Sequence, residues 1–249
     1  MPKRKTKRSV RTNYSSWGGG ETAGDYVKPG NNGGGYPNYT KSFLKFYEGA
    51  GDVLHDSATG ESATKSGAAF EWTDGGLYVD NLASVAVTVA DWQAGHDYVF
   101  ICVCDQKAGQ ELRNLFGALG LNKGMQFSKD EVTFKPDGGS VTVSYGASIP
   151  DVTDVGIYCY VDDSASEVYA GWFTADDEAH SSAVTANAVC TTTNQIGITN
   201  STLYSMCFLE YAVAPSLATV KTATQWMLEQ HTSAECKSDP TKRIIYPEL

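Results

Sequence analysis

No stretch of this chain approaches the ~18 consecutive apolar residues that a membrane-crossing helix needs. No membrane-crossing helix is therefore expected in these residues, and no membrane partner is expected. Histidine is scarce: there are four, and none stands at metal-ligand spacing from the six cysteines, so no zinc-type ligand set is legible. No G-x-x-x-x-G-K-[S/T] phosphate loop and no G-x-S-x-G nucleophile turn occurs. The basic N-terminus is followed by no apolar h-region, so secretion through a Sec-type signal is not expected. The rest of the composition is ordinary for a soluble globular protein, with 41% hydrophobic and 19% charged residues. A chain of 249 residues fits one large β-sandwich with tails, or two small domains.

Charge is unevenly placed. Residues 1–12 hold six basic groups (Lys3, Arg4, Lys5, Lys7, Arg8, Arg11) and no acid. The other 13 basic residues face all 29 acidic ones, so a cationic arm is joined to a body with a balance of −16. Residues 1–41 are rich in glycine, which opposes a packed core, yet Tyr14, Trp17 and Tyr26 are more than a spacer requires. They read as anchors that order the arm against a neighbouring surface; a plain flexible leader is the alternative. Cys102 and Cys104 stand two apart in one apolar run, and Cys159 and Cys207 lie in others, the pattern of buried free thiols. Disulfide pairing stays open at this level.

From Phe43 onward the chain reads as short strands between glycine-bearing turns. Val85–Val89 alternates as a half-buried strand should, and Tyr98–Cys104 is apolar enough to be covered on both faces. Gly156–Val161 and Val168–Phe173 flank an Asp162-Asp163-Ser164 turn, while Asp176-Asp177-Glu178 reads as a polar loop. The organising stretch is Asn194–Gln230. A short strand with Ile-Gly and the apolar, aromatic run Leu203–Ala212 end at Pro215, which has no N–H for a sheet. Ser216 can then cap a helix in which Leu217, Val220, Thr224, Met227 and Leu228 recur at helical spacing. Such a late helix is expected to plug one end of a sandwich.

The order of these signals resembles the laminin-G / concanavalin-A-like jelly-roll family over Phe43–Gln230. Asp56-Ser57-Ala58-Thr59-Gly60 stands where that family has its opening D-s-s-G, Gly75–Asp80 where it has a short strand, and Tyr98–Cys104 at the first core strand. The tail Thr241-Lys242-Arg243-Ile244-Ile245-Tyr246-Pro247-Glu248-Leu249 is similar to the ends of such domains in phage structural proteins. The resemblance implies an all-β jelly-roll sandwich over residues 42–232, with one short C-terminal helix, an extended arm (1–41) and a tail (233–249).

The family also contains glycoside hydrolases, whose two carboxylates come from one strand in an E-x-D-x-x-E or E-x-D-x-E pattern. That pattern is missing here. Asp176-Asp177-Glu178-Ala179-His180 has suitable residue types, but in a run that reads as a solvated acidic loop. No catalytic residue is assigned. Relatives hold calcium with loop carboxylates, and Asp52/Asp56 or Asp162/Asp163 could do so, but no continuous calcium loop exists and metal stays unassigned. His55 near those aspartates and His96 beside Asp97 read as surface histidines. Sugar sites in such sandwiches combine an exposed aromatic with loop Asp or Asn groups, which makes Trp72, Asp74, Asn81 and Trp92 the candidate glycan contacts; either tryptophan could equally be core or rim packing.

The leading expectation is a non-enzymatic virion structural protein, a capsid, decoration or spike subunit located in the virion. Its partners would be other virion proteins, including copies of itself. A carbohydrate-binding module for host or environmental glycans is the alternative, and a glycan hydrolase the third. The six cations of the arm could grip nucleic acid through phosphate contacts, or an acidic protein surface. Attachment through the arm is expected to weaken with salt, with a log K against log salt slope reaching about −5 on duplex DNA. Neutralising all six charges should flatten that slope and leave the body folded. A salt-independent affinity that survives this change would leave the aromatics as the hold.

Overall fold

A computed structural model describes residues 39–46, 48–51, 53–57, 62–64, 70–73, 75–79, 88–91, 95–106, 113–117, 123–136, 139–187, 193–211 and 213–242. The strands begin with β1 (Tyr39–Leu44), β2 (Val53–His55), β3 (Ser62–Thr64), β4 (Phe70–Thr73), β5 (Gly76–Val79) and β6 (Thr88–Asp91). Next come β7 (Asp97–Gln106), β8 (Arg113–Gly117), β9 (Gly124–Ser128), β10 (Glu131–Lys135) and β11 (Val141–Ser144). The last are β12 (Val152–Asp162), β13 (Glu167–Phe173), β14 (Glu178–His180), β15 (Val184–Thr185) and β16 (Thr193–Tyr211). Helices α1 (Leu217–Thr232) and α2 (Ala234–Ser238) and a 3₁₀ turn at Pro240–Lys242 follow. All the pairings are antiparallel.

The spine is β16, a single strand of 19 residues where the sequence reads as two shorter ones. Its first half pairs with β8, Ile196 opposite Phe116, and its second half with β7, Phe208 opposite Phe100. Along a straight strand, positions 196 and 208 would stand about 40 Å apart. Yet the rings of Phe100 and Phe116 lie 4.4 Å apart, centre to centre. The strand therefore folds over on itself. The chain connection demands the same: Asp91 pairs with Thr193 and Asp97 with Tyr211, and the five residues between span at most about 20 Å.

The two halves of β16 thus belong to facing layers. One layer runs β16–β8–β9–β10–β11, the other β1–β16–β7–β12–β13–β14. Between them lies the main core, with Phe100, Phe116, Phe127, Phe134, Ile157, Trp172 and Phe208. The fold is the expected all-β sandwich with a short C-terminal helix.

The corner of β16 is polar and buried. Ser201 and Thr202 are almost inaccessible, and the register slips between Leu203 and Ser205, switching which alternate residues face the core. The bend takes Thr202 N–H out of the ladder, and the fully buried Asp105 of β7 accepts from it at 2.7 Å. β5 passes so close that a Cβ at Gly76 would lie 2.5 Å from the Leu203 carbonyl oxygen, hence glycine there.

The second layer is buried on both faces, as the Tyr98–Cys104 run predicts: all ten residues of β7 are buried. Tyr98, Phe100, Cys102 and Cys104 face the main core, while Val99, Ile101 and Val103 face outward with Tyr158, Tyr160, Cys207 and Leu209. That outward face is where α1 lies, through Val220, Ala223, Met227 and Leu228. The helix is a lid on one sheet and not an end plug, because an apolar outer face needs cover along its length. Gly156 permits the contact: a Cβ there would stand 3.3 Å from Leu228 Cβ and from the Thr224 carbonyl oxygen. Ser216 caps α1, its Oγ accepting from Thr219 N–H at 3.1 Å. At the far end His231 Nε2 meets Asp154 Oδ1 at 2.8 Å, Lys237 Nζ reaches Asp154 Oδ2 at 3.3 Å, and the His231 ring stacks on Tyr204. Burial pushes the Asp154 carboxyl up, but the hydrogen bond and charge of His231 and the charge of Lys237 outweigh it and hold it below the usual range.

One further reading changes, and the cysteine reading stands. Glu178 and His180 lie in β14, paired to β13, with only Asp176 and Asp177 in the preceding turn. The five described cysteines (Cys102, Cys104, Cys159, Cys207, Cys236) are all buried free thiols.

Asp105→Ala is expected to destabilise the fold by about 1–3 kcal/mol, since it strands a buried N–H, and Asp105→Asn by less, since an acceptor remains. Denaturant unfolding of both variants checks this; an alanine variant as stable as the parent would mean that the corner is held by other contacts.

Candidate functional site

Two clusters far apart in sequence, His96-Asp97 and Asp162-Asp163, meet at one end of the helix-covered sheet. The register explains it: Tyr98 lies opposite Val161 on one side and opposite Glu210 on the other. Asp97 Oδ1 accepts the Asp163 N–H at 2.9 Å. Asp162 Oδ1 accepts from Ala165 N–H at 2.9 Å and Ser164 Oγ at 2.7 Å, which builds the β12–β13 turn. Burial and the nearby Asp162 charge raise the Asp97 carboxyl above its usual range, against the backbone N–H groups of Ser164 and Asp163. These oxygens are occupied in making the turn, and among the described residues no group of three or more His, Cys, Asp or Glu is placed to hold a metal ion.

The outer face of this end carries tyrosines. Tyr160 and Tyr169 are stacked, ring centres 5.6 Å apart and 14° from parallel. Tyr160 donates to the Pro215 carbonyl at 3.1 Å and lies 3.3 Å from Asp162 Oδ2. Tyr169 donates to Glu167 Oε2 at 2.6 Å, and this bond, with burial and the carboxylate charges, pushes its hydroxyl up to about 12. Tyr160 is buried, whereas Tyr169 is half-buried. Further along that face His180 packs against Phe173 and Tyr158; burial, then Lys221, lower its imidazole pKa against the pull of Glu178.

The inner face of the same end holds Glu210, a fully buried carboxyl on β16. One of its oxygens, Oε1, is in contact with His96 Nδ1 and accepts from the Tyr98 hydroxyl at 3.0 Å. Burial pushes the Glu210 carboxyl up to about 7. The sequence signal for it was present, as the one acid within the run Leu203–Tyr211, but spacing alone does not pair it with His96. Glu167, Tyr160 and Tyr169 carried no such signal.

The sequence-derived sites fare unevenly. Trp72 is half-buried against the main core, and its Nε1–H donates to the Gly51 carbonyl at 3.1 Å, which is rim packing with its polar handle in use. Asp74, Asn81 and Trp92 lie outside the described residues, as do Lys3, Arg4, Lys5, Lys7, Arg8, Arg11, Tyr14, Trp17, Tyr26 and the calcium candidate Asp52. Asp56, the other calcium candidate of that loop, is buried and pins β1: it accepts from Ser42 Oγ at 2.6 Å and from Phe43 N–H at 2.9 Å. Asp176, Asp177 and Glu178 are exposed.

No family model matches the chain, and no curated protein does. Solved structures of similar shape include lectin I from Ulex europaeus in complex with the methyl glycoside of alpha-L-fucose, at 9% identity and a TM-score of 0.43, covering 68% of this chain and 96% of the lectin. Arcelin-5, a lectin-like defense protein from Phaseolus vulgaris, is 12% identical with a TM-score of 0.36, covering 71% and 95% of the two chains. A mutant of the GH43 protein BlXynB from Bacillus licheniformis is 11% identical with a TM-score of 0.45, covering 69% of this chain, which spans only 39% of that protein.

Glu210 sets a pH dependence. Its folded value, about 7, lies above the ordinary ~4.3 of an unfolded glutamate, so the folded state binds the proton more tightly. The stability this gives is complete below about pH 4.3 and is lost as pH rises to about 7. Glu210→Gln, a neutral mimic of the protonated acid, should remove that decline and be about 1–3 kcal/mol more stable than the parent at pH 8. Unfolding measured at pH 5 and pH 8 decides; an unchanged decline in the variant would place its origin elsewhere.

Proposed function

We propose that this protein is a non-catalytic, lectin-like carbohydrate-binding module. The observation that carries the reading is the half-buried Tyr169 ring, braced by Tyr160 beneath it and flanked by the carboxylates of Glu167 and Asp162. A pyranose offers an apolar C–H face and a rim of hydroxyl donors, which suits an aromatic plate with fixed acceptors at its edge. The acceptors are held in place before any ligand arrives: Asp162 by the turn N–H and Ser164, Glu167 by the Tyr169 hydroxyl. Preorganisation of this kind lowers the entropy lost on binding. A binding role fits better than hydrolysis. A glycosidase needs two carboxyl groups free to flank one bond. At this end Asp97 is engaged in the turn, and Glu210 is inside the sandwich.

Assembly into a virion, with copies of itself and other virion proteins, is the second reading, and the cationic residues 1–12 against the acidic body are what favour it. A virion lectin would satisfy both readings, and the arm would then bind nucleic acid or an acidic neighbour.

Glycan-array binding of the full chain is expected to give a saturable ligand whose affinity falls about tenfold or more in Tyr169→Ala, a loss of at least ~1.4 kcal/mol. Glu167→Gln should weaken it less. Tyr169 is part-exposed, so Tyr169→Ala should remain folded. Binding that ignores both substitutions, or no glycan binding at all, would remove this reading.

A further inference from the structure

The Tyr169 platform carries charge as well as shape. Granted the carbohydrate reading above, its electrostatics decide which class of sugar it takes. Tyr160 lies opposite Tyr169, and two positions on Asp162 lies opposite Glu167, so alternation puts all four side chains on the outer face. Glu167 Oε2 is 2.6 Å from the Tyr169 hydroxyl, and Asp162 Oδ2 is 3.3 Å from that of Tyr160. The charges that bear on the Tyr169 hydroxyl are those of Glu167 and Asp162, and both push it up. The second oxygen of Glu167 takes no part in these bonds. Among the described residues neither carboxylate is in an ion pair, and no lysine or arginine occurs in residues 152–174 or 213–220. Lys221 of α1 acts further along the face, on His180, which lies opposite Gly171. Lys45 follows β1, which the sheet order sets three strands from β12 and four from β13, about 14 and 19 Å away. That is beyond the screening length of about 8 Å at physiological salt.

We propose that the Tyr169 site selects a protonated amino sugar, a pyranose with a free primary amine, over its neutral and acidic counterparts. The C–H face of the sugar meets the tyrosine, and the ammonium group lies among the carboxylates of Glu167 and Asp162. An ammonium offers three donors to acceptors that are already fixed in place. Hydrogen bonds between ionised partners are about twice as strong as those between neutral ones. A tyrosine ring adds a favourable field for a cation. Acetylating the amine leaves a single N–H and removes the charge, so all three gains are reduced. A uronic acid would bring like charge onto Glu167 and Asp162, which is repelled. The 13 basic and 29 acidic residues beyond position 12 act in the same direction at longer range, because an acidic body draws cationic ligands.

Titration of the full chain with a glucosamine oligomer, its fully N-acetylated form and an oligouronate of equal length tests this, at about pH 6 where a primary amine is protonated. At low salt the amino form should bind about fivefold or more tighter than the acetylated form, and the uronate should not bind. Raising salt from about 0.02 M to about 0.5 M should remove most of that preference. Asp162→Asn combined with Glu167→Gln takes away both charges yet keeps an acceptor for every hydrogen bond of the turn. It should abolish the preference while affinity for the acetylated form stays within about twofold. Tyr169→Ala should weaken both forms together. An acetylated form bound as tightly as the amino form, with both lost in Tyr169→Ala, would overturn the selectivity and leave the carbohydrate site standing. Binding of neither form would remove both readings. An oligolysine of equal charge that binds as well as the amino sugar, or a preference intact in the double variant, would also overturn the proposal. Each single amide variant should halve the preference or more, which keeps the test decisive where the double variant does not fold.

Discussion

The sandwich depends on one strand turning a corner. A strand shared between two facing sheets must break its own ladder at the bend, and a backbone N–H freed inside the protein needs an acceptor. Asp105 supplies it for Thr202. Everything that gives the molecule two layers follows from that corner. β8 pairs with 195–199 of β16 and β7 with 203–211, so bending β16 between them swings the sheet from β8 to β11 over the sheet from β7 to β14. The aromatic cluster of Phe100, Phe116, Phe127 and Phe208 forms only once the halves face each other.

The same corner explains the helix. Closing the sandwich buries one face of β7 and β12 but leaves Val99, Ile101, Val103 and Tyr158 on the other. An apolar sheet face of that extent requires a cover, and α1 is the element the chain provides directly after β16. Its anchors sit at its two ends: Ser216 and the Tyr160–Pro215 contact at the start, the His231–Asp154–Lys237 group at the finish. The site end of the sheet is thus stiffened from above by the helix start and from below by the main core.

Much of this was legible in the sequence, and the misses have physical causes. Tyr98–Cys104 reads as a strand covered twice because its residues are apolar on both faces, and Ser216 reads as a cap because its hydroxyl, directly after Pro215, can accept from the first N–H groups of α1. The bend was not legible. Asn200-Ser201-Thr202 is a polar break that separates two strands in any local reading, and the group that makes it continuous, Asp105, is 97 residues away. The helix position was missed although the doubly apolar β7 already implied it. Asp177-Glu178-Ala179-His180 reads as a solvated loop because its acids are exposed, yet the edge of β13 recruits Glu178–His180 as a short strand. The candidate site was legible only in fragments, since His96, Asp162, Tyr169 and Glu210 are joined by register, which spacing does not record.

Two buried acids on neighbouring strands meet different partners. Asp105 accepts from a backbone amide at the buried corner of β16. Glu210 accepts from a histidine and a tyrosine at the margin of the fold, and one of those partners is partly open to water. A buried carboxyl is a poor way to gain stability, because a well-packed apolar side chain of similar size usually does as well or better. At the corner no apolar residue could substitute, since the freed amide demands an acceptor. At the end of β16 the Glu210 carboxyl meets side chains instead, the Tyr98 hydroxyl and the His96 ring. What Glu210 adds there is a buried carboxyl, pushed up to about 7 by burial, where β1, β7 and β16 meet.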